Sequence, residues 1–295
     1  MYFPLDYNEP VFRPPSEAYS LILQLTLGCS WNRCAFCEMY SSKKFKVRKE
    51  EDVIKEIKEV ASESINIKKI FLADGNAMVL STSKLLNIIN EINNSFPRIT
   101  RISAYALPKD INSKTDAELK QLADAGLKLL YVGIESGDDE LLKLINKGET
   151  FNSTIDGLQK ARKAGIKLSV MILNGLGGKN YSVQHAINSA KAVNQIQPEF
   201  LSTLVLSFPY GEDHFKKRFK GDFKALSTIE LIEEMKIFIE NLELENSVFR
   251  SDHASNYLVL KGILNRDKQK FLDDINKVLK SPGNASLRPE WMRGL

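Results

Sequence analysis

No apolar run in this 295-residue chain reaches the roughly 18 residues needed to cross a membrane. The opening Met-Tyr-Phe-Pro-Leu-Asp-Tyr lacks the basic start and long apolar core of a secretion signal. A cytoplasmic protein with reduced thiols is therefore expected. Neither sign of charge is in excess, because 41 Lys and Arg face 37 Asp and Glu, a net +4. That balance is too mild to imply nucleic acid, and a solvated surface is expected. One locally basic stretch, 42–49, reads either as a contact for an anionic ligand or as a plain charged loop. Low-complexity segments are missing, as is any linker that demands a second domain. Hydrophobic residues at 43% and charged residues at 26% suit a soluble chain with a full core.

Cysteine is scarcer still. Cys29, Cys34 and Cys37 are the only ones, and all lie in the run 26–40, spaced C-x4-C-x2-C. Disulfides explain them poorly, because three is odd and the loops would be very short. Thiolates in such a cluster favour zinc or an iron–sulfur cluster. A zinc site would need a fourth ligand, yet His185, His214 and His253 are all far away in sequence, and no second cysteine pair exists. A [4Fe–4S] cluster has four iron sites, so three cysteines leave one iron open.

The rest of the chain alternates. Residues 20–28 read as a buried strand leading straight into the cysteine loop. Helices are expected at 50–64, 82–96, 113–125, 138–145, 152–164, 182–195 and 228–242 from their apolar spacing. Strands are expected at 68–73, 99–106, 127–134, 166–173 and 200–207. Gly126 and Gly165 close two of the helices. Six strand-then-helix units imply parallel pairing, and the unusual loops all follow strands. The expected fold is therefore α/β, a partial (β/α)6 TIM-type barrel with its site on one rim. Residues 1–19, with four prolines, read as an irregular surface arm, 20–245 as the barrel and 246–295 as a C-terminal extension closing it.

On these residues the chain resembles the radical SAM superfamily. The cysteine loop follows the first strand, and Cys34-Ala35-Phe36-Cys37 has the family's C-x-aromatic-C ending. The first gap holds four residues where the family usually has three. The resemblance implies a [4Fe–4S] cluster on Cys29, Cys34 and Cys37. Its open iron would take S-adenosylmethionine, and reductive cleavage would give a 5′-deoxyadenosyl radical that abstracts hydrogen from substrate. It also implies cofactor contacts at Asp74, Gly75 and Asn76, where relatives carry a Gly-Gly-Glu-like segment. Further contacts follow at Glu135 and Ser136, within Gly-x-Glu-Ser-Gly, and at Asn174 and Gly175 in a glycine-bearing loop. Phe36 would approach the adenine, and Tyr105 would face the same rim. Each has a plainer alternative, from an ordinary βα turn to a core aromatic. Arg33 either tunes the cluster or faces solvent.

The substrate side is less legible. Arg250, Asp252 and His253 fall in one polar stretch and are candidates for catalysis. Arg250 could grip a carboxylate or phosphate, and His253 could move a proton. The alternative is a structural turn tying the tail to the barrel. His185 reads as a surface or supporting residue, and His214 as a solvated loop residue. With no second cysteine cluster, methylthiolation and peptide maturation are disfavoured; without a cobalamin module, so is cobalamin-dependent methylation. Stand-alone superfamily members of this size look similar, some of them labelled coproporphyrinogen-oxidase-like. The implied partners are a small or medium-sized substrate and an electron donor such as flavodoxin or ferredoxin. Competing readings are a non-enzymatic iron–sulfur or zinc protein, and a metallohydrolase using Asp74 and Glu135.

Overall fold

The structure is a computed structural model and describes residues 5–63, 65–284 and 287–293. Residues 1–4 of the expected arm, Ser64 at the expected end of the first helix, and 285–286 and 294–295 of the tail lie outside the described residues. Eight strands belong to one mainly parallel sheet, and the chain divides into two compact units.

The first unit comprises Met1–Asn32, Cys37–Val132 and Asp156–Leu168. It holds β1 (Leu21–Gln24), β2 (Thr26–Leu27), β3 (Lys46–Val47), α1 (Glu50–Ser62), β4 (Lys69–Ala73), α2 (Thr82–Ser95), β5 (Arg101–Tyr105), α3 (Pro108–Asn112), α4 (Asp116–Ala125) and most of β6 (Leu127–Glu135). Strands β1, β4, β5 and β6 pair in that order, all parallel. β1 is buried throughout, as a strand covered on both faces must be.

The expected single strand 20–28 is broken at Leu25. Its N–H still donates to Ala73 O at 2.8 Å, but its carbonyl takes the N–H of Arg48 at 3.0 Å. Beyond it, β2 leaves the main sheet to pair antiparallel with β3. Within the basic stretch 42–49, Lys44, Lys46 and Lys49 are exposed and two cations are committed internally. Lys43 is buried, Lys46 lies in β3, and Arg48 forms a bidentate pair with Glu56 at 2.8 and 2.5 Å. Glu118 and Thr115 form a reciprocal cap at the start of α4, and Gly126 ends it at φ 123°. α3 was not legible in the sequence. Pro108 opens it, pre-setting the helical φ.

The arm before β1 is less superficial than its prolines suggest. Pro15–Glu17 makes a 3-10 turn that buries Glu17 completely. The Glu17 carboxylate accepts from Arg101 Nη2 at 2.6 Å, Ser103 Oγ at 3.0 Å and Tyr131 OH at 2.6 Å, and from Ser20 Oγ. One side chain therefore staples the arm to β5 and β6.

The second unit comprises Arg33–Phe36, Gly133–Ile155 and Ser169–Leu295. It carries α5 (Asp139–Leu144), the start of α6 (Phe151–Lys163), β7 (Lys167–Asn174), α7 (Gly178–Ile196), β8 (Phe200–Val205), α8 (Glu212–Arg218), α9 (Thr228–Glu240), β9 (Ser247–Arg250), β10 (Lys261–Leu264) and α10 (Lys268–Lys280). Strands β7, β8 and β9 run parallel, and β10 returns antiparallel to β9. The extension therefore adds two strands that its sequence did not announce, since its stretch 251–258 is too polar to read as part of a sheet. α8 lies where a charged loop was expected, so His214 is helical, though exposed. Its apolar anchor is Phe215, in ring contact with Phe208, Phe219 and Phe223 at 5.5, 5.5 and 4.7 Å.

Removing the Glu17 carboxylate strands three buried donors and the Arg101 charge. Glu17→Ala is expected to cost about 3 kcal/mol of unfolding free energy, measured by urea titration. Tyr131→Phe removes one donor only and should cost about 1 kcal/mol.

Candidate active site

Within the first unit, Cys29 follows a turn fixed by Gly28 and Asp74. Gly28 has φ +72°, a region open to glycine. Its N–H donates to Asp74 Oδ2 at 3.0 Å, and Lys43 Nζ reaches the same oxygen at 2.9 Å. Asp74 is fully buried, and its Oδ1 has no partner. Gly75 lies directly on the cysteine: a Cβ there would stand 2.7 Å from both Cα and Cβ of Cys29. Only glycine permits that approach. Asn76 is also fully buried; its amide donates to Ser30 Oγ at 3.0 Å and to Asp110, while its Oδ1 lacks a partner.

The tyrosines complete this half. Burial pushes the Tyr40 hydroxyl well above its usual range, and Asp74, Tyr105, Cys29 and Cys37 add to the effect. Burial likewise raises Tyr105, followed by Tyr131, Glu17, Asp74 and Cys37. Tyr105 ends β5, and its ring packs edge-on to Phe71 at 4.9 Å. Tyr40, which the sequence reading passed over, has a buried hydroxyl without a partner.

In the second unit, Cys34 and Phe36 lie with the loops after β6 and β7. Glu135 is buried at φ +67°, a left-handed conformation that costs a non-glycine residue about 1 kcal/mol. Its Oε1 accepts from buried Lys147 Nζ at 3.2 Å, and its Oε2 has no partner. Lys147 Nζ also lies 5.6 Å from the Phe36 ring centroid. Lys147 was missed in the sequence because it sits beyond α5. Its flanks carried a signal: Asn146 and Gly148 both take positive φ, 54° and 75°, which makes a tight turn.

Ser136, Asn174 and Gly175 are held from behind. His185 is buried, not superficial. Its Nδ1 meets Ser136 Oγ at 2.8 Å and its Nε2 meets Leu173 O at 3.2 Å. A proton on Nε2 satisfies both contacts, since a carbonyl only accepts and Ser136 can donate. Gly175 N–H donates to Glu234 Oε1 at 2.6 Å, and Asn174 Nδ2 donates to Leu231 O at 3.0 Å. Gly175 itself sits at φ +83°, where a Cβ would lie 2.7 Å from Leu231.

Arg250, Asp252 and His253 are placed differently from one another. Arg250 ends β9 exposed, and Asp252 pairs with Lys261 at 2.9 Å near solvent. The His253 ring engages Ser255, which in turn accepts from Val205 N at 3.1 Å. Asn256 Nδ2 donates to Thr203 O at 2.8 Å. This stretch therefore ties the extension onto the end of β8.

None of the three thiols is in a disulfide, and each is half-buried. Among the described residues, no three His, Cys, Asp or Glu side chains are gathered tightly enough to hold a metal ion. By its chemistry the donor set nonetheless fits an iron–sulfur cluster: three soft, half-buried thiols, with Gly75 making room at Cys29.

A family model described as the radical SAM superfamily matches residues 23–190. The chain belongs to the radical SAM superfamily. The superfamily is one of enzymes that use a [4Fe–4S] cluster and S-adenosylmethionine. The heme chaperone HemW of Bacillus subtilis (strain 168) is 25% identical over 44% of this chain and 35% of its own. The putative methylthiotransferase MJ0865 of Methanocaldococcus jannaschii is 24% identical over 76% of this chain and 55% of its own. The chain thus spans about half or less of these relatives. The structure of coproporphyrinogen III oxidase (HemN) from Escherichia coli, a radical SAM enzyme, aligns with TM-score 0.58 and 16% identity over 75% of this chain and 52% of that one. That likeness supports the TIM-type barrel fold. No described helix is long and apolar enough to cross a membrane.

Burial depresses His185 to about 4 and raises Glu234 to about 7. At 3.9 Å apart they are therefore not a charged pair at neutral pH. Their linkages oppose each other. Glu234 adds stability below its unfolded value of 4.5 that is lost as pH rises through about 7. His185 adds stability above 6.5 that is lost as pH falls through about 4. Glu234→Gln removes the first contribution alone. Wild-type stability relative to that variant should rise on acidification from pH 7 to 4.5, by up to about 1.4 kcal/mol per pH unit, read from urea midpoints.

Proposed function

We propose that Cys29, Cys34 and Cys37 bind three irons of the [4Fe–4S] cluster and that S-adenosylmethionine takes the fourth. The observation that carries this reading is that all the cysteines of the chain lie in one loop of the matched family region, half-buried and outside any disulfide. Once bound, the pair supplies reductive cleavage to a 5′-deoxyadenosyl radical that takes a hydrogen atom from a small or medium-sized substrate.

The chain's own residues have distinct tasks in this reading. Asp74 fixes the Gly28 turn before Cys29, and Gly75 leaves space for the cysteine backbone. Glu135 and Lys147 are a buried pair of opposite charge that complements a zwitterionic amino-acid group: Lys147 toward its carboxylate, and the unpartnered Glu135 Oε2 toward its ammonium. Phe36 offers an apolar face beside Lys147, suited to an adenine. Asn76, Tyr105, Ser136, Asn174 and Gly175 shape the same cofactor site. Arg250, Asp252 and His253 are the substrate-side group, where His253 is the partly buried member and loses proton affinity through burial and Arg288. A reduced flavodoxin or ferredoxin supplies the electron.

Anaerobic reconstitution should load about four irons per chain, and Cys34→Ala should lose the cluster and all 5′-deoxyadenosine formed with dithionite. One tightly bound zinc per chain, with no cleavage, would favour a non-enzymatic metal protein instead. Lys147→Met should weaken S-adenosylmethionine binding about tenfold or more by calorimetry while leaving the iron content intact. Unchanged affinity would remove Lys147 from the cofactor site.

A further inference from the structure

Three connections in the second unit converge on the backbone around Cys34, and a fourth braces the segments that make them. Arg218 Nη2 donates to Cys34 O at 2.8 Å, and Ala35 N to Ile145 O at 2.8 Å. Asn146 Nδ2 donates to Arg33 O at 3.2 Å, and Lys220 N to Leu144 O at 3.0 Å. They bring three separate segments together: the cysteine loop, the end of α5, and the end of α8 with the turn after it. Beneath them lies a shared apolar core that includes Ala35, Leu142, Ile145, Phe215, Phe219 and Phe223. The three segments are thus joined by hydrogen bonds to backbone carbonyls above a common apolar core.

Each of these segments presents an exposed cation: Arg33 from the cysteine loop, Lys143 from α5, and Lys217 and Lys220 from the α8 region. Of the acids in the same segments, Glu212 pairs with Lys216 at 2.8 Å and Asp222 with Lys224 at 3.9 Å, Asp139 accepts from Phe151 N and Glu140 from Tyr181 OH, and Asp213 is exposed; the bases still outnumber them. The chain as a whole is only +4, so four cations around one cysteine are a local concentration rather than a general excess. Arg218 carries a fifth positive charge inward to the Cys34 carbonyl.

We propose that this basic collar is the docking face for an acidic one-electron carrier protein. The inference rests on the reading that Cys34 binds the cluster, and it names where the electron enters. A donor with a negative rim is drawn to the collar and oriented with its redox group toward Cys34. The transfer is a single electron: the carrier is oxidised by one unit and the cluster reduced by one, with no proton moved by the chain. Arg218 joins the outer surface to the ligand-bearing loop.

The test compares two reductants in stopped flow, following the bleaching of the reconstituted cluster. One is an acidic flavodoxin hydroquinone; the other is reduced methyl viologen, a small cation that needs no docking face. The double variant Lys217→Glu/Lys220→Glu should be reduced by flavodoxin about tenfold or more slowly at low salt, with viologen reduction unchanged. Added salt should slow the flavodoxin reaction of the wild type and narrow the gap. The milder Lys217→Gln/Lys220→Gln should fall between, which guards against a misfolded reversal variant. Carbodiimide cross-links to flavodoxin should map to Lys143, Lys217 and Lys220, and this readout needs no cluster. Equal flavodoxin rates in wild type and both variants, or cross-links mapped elsewhere, would overturn the proposal. A wild-type chain that assembles no cluster would instead sink the cofactor reading, and the cross-links would still decide the docking face.

Discussion

A neutral imidazole inside the second unit holds together what the rest of the site needs. His185 takes a hydrogen bond from Ser136 and gives one to Leu173 O, so two strand-end loops are referenced to one ring. Charging that ring would turn its acceptor nitrogen into a donor, and burial prevents this. Glu234, kept largely protonated by the same desolvation, fixes the neighbouring Gly175. The loops that bear the candidate cofactor contacts are therefore set by groups that stay uncharged in a range where their free counterparts would be ionised.

The same logic appears in the first unit with opposite electrostatics. There the organising group is a buried carboxylate, Asp74, satisfied on one oxygen by a lysine and a backbone N–H. A buried charge is tolerable only with such partners. Both units thus use a buried ionisable side chain to fix a turn, one by neutralising it and one by pairing it. In each, a buried oxygen is left without a protein partner, on Asp74 and Asn76 in one and on Glu135 in the other.

The alternation of strands and helices was legible because its period is local: buried parallel strands read as apolar runs and their helices as apolar stripes. The cysteine loop was legible because its chemistry is compressed into a few residues. What failed was long-range. The sequence left His185 between a surface and a supporting role, because only the fold brings Ser136 and Leu173 to it. Lys147 lay outside any motif, and its role appears only where the chain returns to Glu135. Glu17 sat in a proline-rich arm whose composition masked a burial created by Arg101, Ser103 and Tyr131. Strands β9 and β10 were hidden because polar residues between them serve as anchors to β8, a use that composition does not reveal.

The backbone at Glu135 has a consequence for how this chain is tuned. Glycine would adopt φ +67° without steric cost, but it would leave the buried Lys147 ammonium without its carboxylate, a larger loss than the strain relieved. The chain instead keeps a side chain in a strained conformation, buried, with one oxygen left without a protein partner. The strain at this position is carried by the ion pair it makes possible, so selection for stability alone would keep the carboxylate and the strained backbone together.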